Sequence, residues 1–197
     1  DGSTVLHRAA MNGLEALAKA VLQRGADVDA ANKAKATALM CACGHQRVAL
    51  VRLFLAWGAD VNAANEDGRT PCMLASMCGY EDEALAVIES GADVNAIDRW
   101  GTPPLIMACV EGYVGIVQAL IRRGADVDAT MPEGETALMM ACRYGYEEVA
   151  KMLLAKGVNV DAAMTSGTTA LAMACADQHV ALVRLLLSLQ RLPRRLS

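Results

Sequence analysis

The segment GADVNAANEDGRTPCMLASMCGYEDEALAVIESGADVN, residues 58–95, opens and closes on one phrase: Gly58-Ala59-Asp60-Val61 returns as Gly91-Ala92-Asp93-Val94. The stretch between the copies reads as two helices and a turn. Thr70-Pro71 pairs a hydroxyl that can cap a helix with a proline at the first helical position, where its missing N–H costs nothing. That helix runs through Met73, Leu74 and Ala75 to Gly79, a residue that can take the left-handed conformation ending it. A second helix, Glu81 to Ser90, is expected to bury Leu85 and Ile88 and to stop at Gly91. Ala92 to Gly101 is polar and extended, with turn signals at Asn95 and Asp98.

Outward from this segment the same beat holds. Gly-Ala-Asp-Val starts at Gly25, Gly58, Gly91 and Gly124, and a worn copy, Gly-Val-Asn-Val, starts at Gly157. Alanine stands at Ala9, Ala42, Ala75, Ala108, Ala141 and Ala174. Thr4, Thr37, Thr70, Thr136 and Thr169 share a column interrupted only by Pro103, and Leu6, Leu39, Leu105, Leu138 and Leu171 share one interrupted by Cys72. The spacing gives repeats of about 1–32, 33–65, 66–98, 99–131, 132–164 and 165–197 within one domain, 1–197. A single unit cannot bury its own apolar faces, so the units stack into an all-α solenoid. Where Pro103 displaces the capping threonine, Thr102 is one residue earlier; a cap shifted by one is expected there.

Composition agrees with thin, closely packed layers. Hydrophobic residues make up 54% and aromatics only 4%, so the core is filled by Ala, Leu, Val and Met. A net charge of −4 lacks the concentrated basic face that nucleic-acid binding needs. No apolar run approaches the roughly 20 residues that span a bilayer. Seven cysteines, an odd number, read as reduced thiols of a cytoplasmic or nuclear protein.

The chain resembles the ankyrin repeat proteins. The period, the Gly-Ala-Asp-Val-Asn ending (Gly58 to Asn62, Gly91 to Asn95), the Asp67-Gly68-Arg69-Thr70-Pro71 opening and Thr4-Val5-Leu6-His7 carry the likeness. It implies helix-turn-helix units with β-hairpin finger loops, which mostly bind proteins through finger tips and first helices on a concave face. The family's histidine survives only at His7; Met40, Met73, Ile106, Met139 and Ala172 replace it.

His7, His45 and His179 have no metal-ligand spacing with Cys, and no nucleophile elbow, phosphate loop or dinucleotide fingerprint occurs. Cys43, Cys109, Cys142 and Cys175 share a column with Ala10 and Ser76, a slot for a small buried side chain. Asp27, Asp60, Asp93 and Asp126 recur because the loop asks for them, whereas catalysis needs a unique convergent group. A non-catalytic module without cofactor or metal is expected.

Specificity then falls to columns that break the period. The apolar centre of the strip is Met77, Cys78, Trp100, Val110 and Tyr144, rimmed by Arg69, Arg99, Glu111, Glu133, Glu135 and Arg143. Such a centre of Trp, Tyr and Arg within a charged rim is how protein-binding hot spots are built. The expected partner is therefore a protein or peptide, with an adaptor, inhibitor or targeting role. Trp100 is the sharpest choice, since a finger tip gives a large ring little to pack on; the competing reading folds it over Arg99 or a neighbouring finger. Two other functions fit the sequence: a spacer whose concave face is idle, and a cage of Trp100, Tyr144 and Glu111 reading methylated lysine. Trp57 suits packing or binding equally, and Tyr80, Tyr113 and Tyr146, one column, read as structural. The first unit carries Val5, Leu6, Ala9 and Ala10 like an internal repeat, so further sequence before Asp1 is expected. In the last unit, Leu189-Gln190-Arg191 replaces the glycine turn ahead of Pro193, so its helix is expected to run on and cap the stack. Arg191, Arg194 and Arg195 read as a solvated tail.

Overall fold

The structure, a computed structural model, describes residues 1–190. The helices come in pairs: α1 (Val5–Asn12) with α2 (Glu15–Gln23), α3 (Ala38–Cys43) with α4 (Val48–Ala56), α5 (Pro71–Cys78) with α6 (Glu81–Glu89), α7 (Pro104–Glu111) with α8 (Val114–Arg122), α9 (Ala137–Tyr144) with α10 (Glu147–Ala155), and α11 (Ala170–Ala176) with α12 (Val180–Gln190). First helices pack on the first helices of neighbouring units, and at four of the five steps they do so more extensively than the second helices pack on one another, α3 with α5 being the exception.

The column residues explain why the layers sit so close. All six column alanines are fully buried, because a methyl group is what allows successive first helices to approach. Leu39, Leu105, Leu138 and the Met and Ile residues in the old histidine column (Met40, Met73, Ile106, Met139) fill the space around them. Ile88 is buried as expected, but Leu85 is only half-buried; the inner face of α6 is carried by Ala84 and Val87. His7, the one histidine in this column, ties its unit to the next. Its Nε2–H donates to the Ala36 carbonyl of the next unit at 2.7 Å, which leaves Nδ1 to accept from the Thr4 N–H and hydroxyl.

Helix starts follow the threonine column. The hydroxyls of Thr37, Thr70, Thr136 and Thr169 accept from the N–H three residues on, at 3.2–3.4 Å. At Pro103 the expected shift does not occur. α7 starts in register at Pro104, Pro103 takes the N-cap place without a side-chain cap, and the Thr102 hydroxyl lies 3.4 Å from the Met131 sulfur instead. Packing of Leu105 and Ala108 into the fixed layers sets the start, and the cap bond is given up.

The fingers are short hairpin turns, each closed by an N–H···O bond across its base, from Asn32 to Ala36, Asn65 to Arg69, Asp98 to Thr102, Met131 to Glu135 and Met164 to Thr168. Among the described residues the only β features are two isolated bridges, Thr130 with Thr136 and Ala163 with Thr169. The Asn32, Asn65 and Asp98 side chains each accept two backbone N–H bonds across their own finger. The periodic acids have the loop role read from the sequence: Asp27, Asp60, Asp93 and Asp126 each accept the N–H two residues on. The following Asp29, Asn62, Asn95 and Asp128 then accept an N–H from the next unit at 2.7–2.9 Å. α12 runs 11 residues where the other second helices have nine, but Arg191, Pro193, Arg194 and Arg195 lie outside the described residues.

Candidate partner-binding face

The finger residues meet in a compact cross-linked group. Arg99 of the third finger pairs with Asp67 of the second at 2.8 Å, and Arg69 of the second lies 3.7 Å from the buried carboxylate of Asp98 in the third. Both guanidiniums also approach the Trp100 ring, Arg69 at 4.9 Å and Arg99 at 4.2 Å from its centroid. The ring thus folds onto Arg99 and the neighbouring finger, as the competing reading has it, and yet stays 44% exposed. Cation–π contacts hold it where a loop offers no apolar support. Arg69 Nε is buried without a hydrogen bond, so this plaque is not fully satisfied.

The backbone singles out the same finger. Finger joins to finger by one N–H···O bond per step: Lys33 to Asp1, Glu66 to Ala34, Arg99 to Asp67 and Thr165 to Glu133, at 2.9–3.1 Å. The missing step falls between the third and fourth fingers, where Pro132 has no N–H to donate and the Trp100 carbonyl receives no such bond. Sequence reading chose Trp100 and missed this gap, although Pro132 in the donor column was the signal.

The remaining candidates lie along the first helices. Met77 on α5 and Val110 on α7 are half-buried, while Glu111 on α7 and Arg143 and Tyr144 on α9 are exposed. Arg143 sits 5.7 Å from the Tyr144 ring centroid, and that ring is 6.1 Å from Tyr146. From the finger end of a first helix to its last residue is about 12 Å at 1.5 Å per residue. The face therefore has two aromatic clusters, Trp100 at the fingers and Tyr144 at the far end, where Met77 and Val110 also lie near the last residues of their helices. None of the four is sealed in the core. Nearby, burial pushes the Cys78 thiol up, partly offset by the Arg69 charge.

The structural columns behave otherwise. The Tyr113, Tyr146 and His179 rings cover Gly79, Gly112 and Gly145 of the preceding unit so closely that no Cβ fits. The histidines are each tied to a main-chain carbonyl, His45 to Cys41 and His179 to Arg143. Of the cysteine column, Cys43, Cys109 and Cys142 are buried but Cys175 is exposed; all seven cysteines are free thiols. Trp57 caps α4 and is 44% exposed, away from the face just described.

The family model for ankyrin repeats matches residues 6–98, 59–131, 87–164 and 105–193, which together run along nearly the whole chain. The chain belongs to the ankyrin repeat family. A comparison of this ankyrin repeat chain with curated proteins finds no match. Ankyrin repeats are in general protein-interaction modules, which fits a face built from fingers and first helices. Among the described residues, no helix is long and apolar enough to cross a membrane.

Proposed function

We propose that this ankyrin stack binds a protein or peptide partner across the concave face of its third to fifth repeats, in an adaptor, inhibitory or targeting role without catalysis. The observation that carries this reading is Trp100: a nearly half-exposed ring held out on a finger by two guanidiniums, at the finger step that Pro132 leaves without a backbone bond. A partner chain lying over the third and fourth fingers can cover the ring. Met77 and Val110 then offer apolar contact, and Tyr144 with Arg143 the second anchor, in the pattern of hot spots that pair large aromatics with arginine.

The cage reading loses support from the same contacts. A quaternary ammonium needs free ring faces in negative surroundings, whereas Trp100 already carries two cations, and the only ring within stacking range of Tyr144 among the described residues is Tyr146. Hydrogen–deuterium exchange on the chain with a captured partner tests the site. Protection is expected in peptides covering residues 66–78, 99–111 and 132–144. Protection confined to the second helices, or no captured partner that protects any peptide, rejects the proposal in favour of another face or an idle spacer.

A further inference from the structure

The second helices also share columns, and one member is out of place. Leu50, Ile116, Val149 and Leu182 are fully buried, Leu17 of the end repeat is exposed, and the corresponding residue of the third repeat is Glu83. It is as buried as those four, 2% exposed, and among the described residues it makes neither hydrogen bond nor ion pair. Its carboxylate oxygens are not among the sealed unpaired atoms, so they keep a small opening to solvent, and a charged group this buried without a protein partner is unfavourable in a column otherwise filled by aliphatic side chains.

Glu83 lines a groove of about 560 Å³ at the turn end of the second and third repeats, away from the fingers. Gln46, Val48, Gly79, Tyr80, Glu81 and Asp82 complete its walls, so three carboxylates surround it and no base does. The Arg47 side chain, between two lining residues, points to the first repeat, where a Cβ on Gly13 would meet it at 3.3 Å, and Arg52 lies in the adjoining groove that shares Asp82 with this one. The Glu81 carboxylate leans over Gly115 of the next repeat, which a Cβ there would block. The carboxylates therefore do not converge as metal ligands, and the described residues hold no group arranged for an ion. The space is larger than a bare ion needs, and Val48 and Tyr80 offer apolar wall for a methylene stem.

We propose that this groove receives a single arginine or lysine side chain of a partner protein, with Glu83 as its buried counter-charge. A charged hydrogen-bond partner would satisfy the carboxylate in place, which is where such pairs are strongest. The site lies on a different surface from the finger face and does not depend on Trp100.

The test is an amide-resolved NMR titration of the chain with acetyl-arginine amide, acetyl-lysine amide, neutral acetyl-citrulline amide and spermidine. Saturable shifts at Gln46–Val48 and Gly79–Ala84 with an arginine or lysine amide, absent with citrulline amide, support the proposal. Glu83→Leu, which restores the column's own residue type, and the shape-preserving Glu83→Gln should each weaken those shifts at least tenfold while melting no lower than the parent. No saturable shift, equal shifts from citrulline amide, or shifts retained in both variants would overturn it. Tighter binding of spermidine than of either amide would overturn the assignment to a protein side chain.

Discussion

Gly112→Ala should destabilise this protein far more than Gly124→Ala, although both glycines have left-handed backbone. Their φ angles are 76° and 86°, so each alanine meets the same penalty, roughly 1–2 kcal/mol for a Cβ in that region. Stiffening the unfolded chain returns about 0.4–1 kcal/mol in both cases. The difference is what the methyl group meets. At Gly124 there is nothing within 4 Å, whereas at Gly112 the new carbon stands 2.7–2.8 Å from three atoms of the Tyr146 ring. That ring sits at the start of α10 in the next repeat and is wedged beside Tyr144, so it cannot swing freely. Overpacking of this kind costs about 1–3 kcal/mol. Urea unfolding followed by circular dichroism should therefore place Gly112→Ala about 1–3 kcal/mol below Gly124→Ala, and adding Tyr146→Ala should remove most of that gap. Equal losses in the two single variants, or an unchanged gap after Tyr146→Ala, would refute the idea that aromatic rings lock one repeat onto the glycine of the repeat before.

Thr136→Ala, which deletes a cap bond of 3.2 Å, should cost about 1 kcal/mol in the same assay. Burial pushes the Cys142 thiol up to about 12 from its ordinary 9.0, and raises Cys109 as well. Thiolates then form more readily in the unfolded chain, so the stability these thiols contribute is complete below pH 9 and declines between pH 9 and 12. Urea midpoints across that window should fall less steeply for Cys142→Ala than for the parent. Alkylation of the native protein at pH 8 should reach exposed Cys175 long before buried Cys43, Cys109 or Cys142, as mass spectrometry of timed samples can show.

Much of the fold was legible because each repeat votes on each position. The alanine column, the threonine caps and the Gly-Ala-Asp-Val loops mark the layers in the sequence itself. Pro103 was misleading because a local capping rule was weighed at a place where neighbouring layers dictate the helix start. Leu85 was expected inside because one unit's helical pattern cannot tell which of two apolar faces the stack covers. The candidate face was legible in outline. That Trp100 rests on Arg69 was not, since the two residues lie on different fingers and only stacking brings them together. Pro132 and Glu83 were visible as departures from their columns. Their meaning depends on a backbone ladder and a burial pattern that a string of letters does not display.

The central claim concerns which face selects the partner, and the two tryptophans provide a matched pair. Trp57 and Trp100 are equally exposed, 44% each, one at the end of a second helix and one on the finger face. With a captured partner in hand, dissociation constants for Trp57→Ala and Trp100→Ala should differ sharply. A loss of at least tenfold is expected for Trp100→Ala, matching a hot spot of about 1.4 kcal/mol or more, against less than twofold for Trp57→Ala. Equal effects, or a larger loss at Trp57, would contradict the account.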